Sequence, residues 1–98
     1  MNDYKRTAVV TGGANGIGHA IVTRLARDGI AVAVADKDEK QASNVAEKIN
    51  TAEKPIGIGV DVSDRASVEK MIATAYERLG AIDILVCNAG IMDRAPFI

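Results

Sequence analysis

Residues 8–18 read AVVTGGANGIG, an apolar run that breaks into four glycines within seven positions: Gly12, Gly13, Gly16 and Gly18. Glycines at this density mark either a plain turn or backbone cleared for close contact. The flanking residues weigh against the plain turn. Residues 7–11 are short, continuous and mostly apolar, as a strand buried on both faces of a parallel sheet should be. From Ile17 onward the period changes, and Ile17, Ala20, Ile21 and Leu25 fall on one helical face. The glycines therefore join a strand end to a helix start, where unpaired backbone N–H groups and the positive end of the helix dipole meet. An anion fits there.

The same alternation of periods runs through the chain. Further strands are expected at 30–35, 56–60 and 82–87. A second helical face carries Ala42, Val45, Ala46 and Ile49, and a third carries Val68, Met71, Ile72, Ala75 and Leu79. Gly29 and Gly80 are placed to stop the first and third helices, while Asp38 with Gln41, and Ser63 leading into Asp64, are placed to start the second and third. The order is βαβαβαβ with short connections. Right-handed crossovers make it an α/β, Rossmann-like doubly wound parallel sheet, in its N-terminal half only. Residues 1–98 form a single domain portion with no second domain visible.

Composition excludes several classes of function. Twelve Lys and Arg against thirteen Asp and Glu, with two Tyr, one Phe and no Trp, give no electrostatic or stacking case for a nucleic-acid partner. The apolar run near the N-terminus stops at Thr11, too short for a signal peptide core or a membrane span, so a cytoplasmic protein is expected. Cys87 is the sole cysteine, which rules out an internal disulfide, and a single His19 on the solvent side of the first helix supports neither a metal site nor a proton shuttle.

The glycine spacing can be tested against phosphate-binding chemistries. Gly13 and Gly18 have P-loop spacing, but His19 and Ala20 follow where a Lys and a hydroxyl are required. A methyltransferase-like loop usually has tighter glycine spacing than Gly12 and Gly16 show. A dinucleotide fits better: Gly12 allows the tight turn, Gly16 lets a pyrophosphate approach the backbone and Gly18 lets the helix pack closely on the sheet. Asp36 ends the second strand eighteen positions after Gly18, where its carboxylate can accept from ribose hydroxyls. It should also disfavour NADP, because a 2′-phosphate roughly 4 Å away is repelled by about 4 kcal/mol per unit charge at an effective dielectric near 20, almost three decades in affinity. Gly13, Ala14 and Asn15 supply no cation to offset this. Lys37 is the one counterweight, or a solvated surface lysine. Asp61 ends the third strand and can take the adenine amino group while the Val62 N–H meets the ring; the alternative for Asp61 is a capping role at the next helix.

The fourth strand runs into CNAG at 87–90. Together, TGGANGIG, Asp36, the Asp61–Val62 pair and NAG at 88–90 resemble the N-terminal half of the short-chain dehydrogenase/reductase family, over all 98 residues. The resemblance implies an oxidoreductase using NAD, with Gly12, Asn15, Ile17 and Gly18 along the pyrophosphate and ribose. It implies that Asn88, Ala89 and Gly90 support the cofactor's central portion, with Asn88 also bracing the sheet. Cys87 departs from the frequent NNAG and is expected to be a buried thiol in the strand core.

Members of that family pair a Tyr with a Lys four residues later and add a Ser to orient the substrate oxygen. Here Tyr4 is followed four later by Ala8 and Tyr76 by Gly80, so the catalytic half falls beyond Ile98 and the chain alone is expected to be inactive. DGIAVAVAD and DVSDRASV are similar to the acetoin (diacetyl) reductase or butanediol dehydrogenase branch, which implies a small alcohol or ketone substrate and a homo-oligomer when full length. A non-catalytic nucleotide-binding or interaction module and a methyltransferase-like fragment stay open as alternatives.

Overall fold

A computed structural model describes residues 6–88. Along them alternate β1 (Thr7–Thr11), α1 (Gly16–Arg27), β2 (Ala31–Asp36), α2 (Glu39–Lys48), β3 (Ile56–Gly59), α3 (Arg65–Leu79) and β4 (Ile84–Cys87). The strands pair in parallel in the order β3-β2-β1-β4, with Thr7–Thr11 facing residues 31–35 on one side and Ala8 to Thr11 facing Ile84 to Cys87 on the other.

The continuous apolar runs become the two central strands. All of β1 is buried, as is β2 up to Asp36. Alternate side chains serve opposite layers: Val10, Val32 and Val34 pack with Val22, Ala26, Ala42 and Val45, whereas Val9, Ala33, Ala35 and Ile58 pack with Met71 and Ala75. Helices α1 and α2 thus cover one face of the sheet and α3 the other. The expected inward faces of α2 and α3 are the observed ones, with Val68, Ile72 and Leu79 only partly buried.

The first helix departs from expectation. Its buried stripe is Gly18, Val22 and Ala26, while Ile17 is 72% exposed and Ala20 is exposed. Two stripes of period four compete in this sequence, and the one with smaller residues faces the sheet because the helix comes so close: a Cβ on Gly18 would lie 2.0 Å from the Gly12 carbonyl oxygen. Ile21 and Leu25 still pack against the core from the flank.

The outer strands also differ from the expected pattern of burial on both faces. β4 alternates between half-buried and exposed, with Leu85 47% exposed, because among the described residues α3 leaves that end of its face uncovered. Cys87 is accordingly exposed rather than buried in a strand core. The expected strand at 82–87 begins later, at Ile84, and that at 56–60 ends earlier, at Gly59, although the Val60 N–H still donates to the Asp36 carbonyl at 2.9 Å.

Side chains close the ends of the elements. Asp38 caps α2 by accepting from the Gln41 N–H at 3.1 Å, and Asp64 caps α3 by accepting from the Ala66 N–H at 3.1 Å. At the other edge Thr7 donates its N–H to Asp83 Oδ2 at 2.9 Å and its hydroxyl to the Ala81 carbonyl, fixing the entry of β4 beside β1.

The two loop glycines should respond differently to substitution. Gly16 has φ +54° and open space beyond it, so Gly16→Val adds only backbone strain, about 1–2 kcal/mol. Gly18→Val drives a side chain into backbone and should cost about 3 kcal/mol or more. In urea unfolding, the Gly18 variant should show the lower midpoint; equal midpoints would contradict this packing.

Candidate functional site

The carboxyl ends of β1, β2 and β4 meet at one edge of the sheet. Chain connectivity reverses between β1 and β4, since β1 leads through α1 to β2 on one side while β4 is reached through α3 on the other. Such a switch point opens a crevice in which ligands of open parallel sheets bind. The loop 12–15, the start of α1, Asp36 and Asn88 all border it.

The helix start is built to leave donors available. Asn15 precedes α1 in extended conformation but its side chain makes no capping bond, in contrast to the capped α2 and α3, and the first turn of α1 contains no acidic residue. Nothing lies within 4 Å of where a Gly16 Cβ would project. Ile17, next along, is exposed rather than part of the core.

Asp36 does more than the sequence suggested. Its Oδ2 accepts from the Ala14 N–H at 3.1 Å and its Oδ1 from the Asp38 N–H at 3.1 Å, so the carboxylate ties the glycine loop to the end of β2. The Gly13 N–H donates to the Ala35 carbonyl at 3.1 Å and strengthens that tie. Each carboxylate oxygen has capacity for a second hydrogen bond. Lys37, next along, is exposed.

Thr11 is a further member that sequence reasoning passed over as a strand residue. It is 3% exposed, donates its hydroxyl to the Val86 carbonyl at 3.3 Å and accepts from the Asn88 N–H at 3.0 Å. A Cβ on Gly18 would also lie 2.8 Å from Asn88 Nδ2. Asn88 is therefore held between β1 and the first turn of α1. A buried Thr at a strand end was the only available signal.

Asp61 follows β3 and accepts both the Ser63 hydroxyl, at 2.6 Å, and the Ser63 N–H, at 3.0 Å, on Oδ1. The Ser63 hydroxyl and N–H, helped by the charge of Lys37, hold its carboxyl below the usual carboxylate range against the opposing desolvation. Asp61 therefore keeps its charge to a lower pH than a free aspartate does. It is not the cap of α3, and neither is Ser63; Asp64 is. Val62 beside it is 48% exposed and lines, with Thr11, Arg65, Val68, Met71, Leu85 and Cys87, an apolar groove of about 320 Å³ on the α3 face.

Other candidates stand apart. His19 and Tyr76 are exposed on helices, and Tyr4, Ala89 and Gly90 lie outside the described residues. Among the described residues no three His, Cys, Asp or Glu side chains gather into a metal site, and no helix is long and apolar enough to cross a membrane.

Thr11→Val preserves shape while removing the acceptor of the Asn88 N–H and the donor to Val86. Stability should fall by about 1–3 kcal/mol, and hydrogen exchange at the Asn88 amide should accelerate selectively. Unchanged exchange there would show that Thr11 does not hold Asn88.

Comparison with known proteins agrees with this arrangement. The short chain dehydrogenase family pattern matches residues 6–98. A short-chain dehydrogenase/reductase from Hericium erinaceus is 46% identical over 96% of this chain and 39% of its own length. The L-2,3-butanediol dehydrogenase of Corynebacterium glutamicum is 44% identical over 95% of this chain and 37% of its own. The chain thus spans well under half the length of these relatives. The crystal structure of 3-ketoacyl-(acyl-carrier-protein) reductase from Brucella melitensis, complexed with NADH, superposes with a TM-score of 0.76 at 30% identity, covering 82% of this chain and 32% of that one. With the glycine loop, the tethered Asp36 and the parallel switch point already in place, the match identifies the chain as a member of the short-chain dehydrogenase family.

Proposed function

We propose that residues 1–98 are the NAD(H)-binding portion of an oxidoreductase that moves a hydride between the nicotinamide and a secondary alcohol or ketone. The observation that carries this reading is Asp36, whose carboxylate is tied to the glycine loop at the carboxyl edge of the sheet. The cradle fits a dinucleotide: α1 begins without a side-chain cap, and the space beyond Gly16 is open.

In this reading Gly12, Asn15, Gly16, Ile17 and Gly18 surround the pyrophosphate and adjoining ribose. Asp36 accepts from the adenosine ribose hydroxyls through the lone pairs its backbone partners leave. Asp61 and the Val62 N–H receive adenine, and Asn88, Ala89 and Gly90 support the central portion. When bound, the nicotinamide gives or takes the hydride; residues 1–98 bind and orient it, while the proton-transferring Tyr, Lys and Ser come from chain beyond Ile98. A small hydroxyketone or diketone such as acetoin or diacetyl is the proposed substrate, supported by the 44% identity to a butanediol dehydrogenase. The whole protein is proposed to be a cytoplasmic homo-oligomer.

Coenzyme choice follows from charge. A 2′-phosphate beside Asp36 meets a fixed carboxylate, with the neighbouring Lys37 as an exposed counter-charge, so NADH should bind at least a hundredfold more tightly than NADPH. Asp36→Ser removes the repulsion, the ribose acceptor and the Ala14 tether together, so NADH binding should weaken while the NADH/NADPH ratio falls by about two decades. Fluorescence titration of the protein from the complete reading frame measures both. Equal binding of the two coenzymes with Asp36 intact would overturn the assignment.

A further inference from the structure

Asp61 is held more firmly than its place in a strand-to-helix connection requires. Its N–H donates to Ser67 Oγ at 2.9 Å, reaching forward to the first turn of α3. Its carbonyl accepts from the Asp64 N–H at 3.0 Å. Oδ1 takes both the hydroxyl and the N–H of Ser63, at 2.6 and 3.0 Å. The bonds to Oδ1 do not cap α3, since the cap is Asp64, which accepts from the Ala66 N–H. Both serines are thus spent on Asp61.

We infer that Ser63 is a positioning residue that makes the site selective for a purine carrying an exocyclic amino group. The inference rests on the reading of Asp61 as the acceptor for adenine. An unrestrained carboxylate turns about its Cβ–Cγ bond and accepts from many directions. With Oδ1 held by two donors from one residue, the carboxylate plane is fixed and Oδ2 is left as the acceptor. Ser67 fixes the other end of the residue by holding its N–H, so the side chain starts from a set backbone position. A purine with a 6-amino group satisfies Oδ2 with a charge-assisted bond; a purine with hydrogen there leaves it without a partner. Selectivity then comes from the fixed direction of the carboxylate, which hydrogen bonding by Ser63 supplies, and from its negative charge, which Lys37 does not neutralise by contact.

The test compares NADH with reduced nicotinamide purine dinucleotide, in which hydrogen replaces the adenine amino group, on the protein from the complete reading frame. The unsubstituted protein should bind NADH about 10- to 30-fold more tightly. Ser63→Ala should reduce that ratio to about threefold or less, by weakening NADH while leaving the purine analogue unchanged. Ser63→Thr, which keeps the hydroxyl and the N–H, should restore it. A structural loss alone would weaken both ligands in parallel and leave the ratio standing, and that result overturns the inference. A ratio near one in the unsubstituted protein overturns the role of Asp61, and this inference with it, while leaving Asp36 and the glycine cradle as the NADH site. Failure of the unsubstituted protein to bind either dinucleotide overturns the proposed function itself.

Discussion

The close approach of α1 to β1 at Gly18 governs the rest of the site. A helix whose residue 18 carried a side chain could not bring its first turn onto the Gly12 carbonyl, since even a single Cβ would stand 2.0 Å away. That contact sets the angle at which the helix leaves the loop. It brings Gly18 beside the Asn88 amide and places the uncapped first turn at the crevice between β1 and β4. The small stripe of Gly18, Val22 and Ala26 keeps the approach close along the helix, while Ile21 and Leu25 fill the flank. A packing constraint in the core thus determines the direction in which backbone N–H groups are presented.

Polar side chains then connect the strand ends that packing has aligned. Thr11 links β1 to the end of β4, and Asp36 links β2 back to the loop after β1. Asp61 is organised by two serines at the end of β3. Each of these groups sits at the same edge of the sheet, so one edge gathers hydrogen-bonding residues whose sequence separations reach 77 positions, as between Thr11 and Asn88. The opposite edge uses the same device, where Thr7 and Asp83 join β1 to the start of β4. Helix positions compact the layers, and polar residues tie the strand ends together.

Much of this was legible from local chemistry. The continuous apolar runs gave β1 and β2 because central strands of a parallel sheet need no polar face. Asp38 ahead of Gln41 announced the start of α2, and the spacing of Gly12, Gly16 and Gly18 located the loop. The inward face of α1 was not legible, because two apolar stripes of equal period were present and only the distance to the sheet selects the smaller one. Nor was the exposure of Cys87, where among the described residues α3 leaves part of β4 uncovered. The tethers from Asp36 to Ala14 and from Thr11 to Asn88 cross from one strand end to another. No periodicity within an element encodes them, and they become visible only once strand order is known. Ser63 illustrates the same limit at short range, since a residue placed to start a helix instead turns back to Asp61.

If this edge of the sheet is a dinucleotide cradle, packing at Gly18 and the carboxylate of Asp36 together set the position of the ligand. A crystal structure of the protein from the complete reading frame with NADH measures this most directly. The pyrophosphate should lie within hydrogen-bonding distance of backbone N–H groups at the start of α1, with the adenosine ribose hydroxyls on Asp36. A dinucleotide bound elsewhere, or in this crevice with its adenosine ribose away from Asp36, would contradict it.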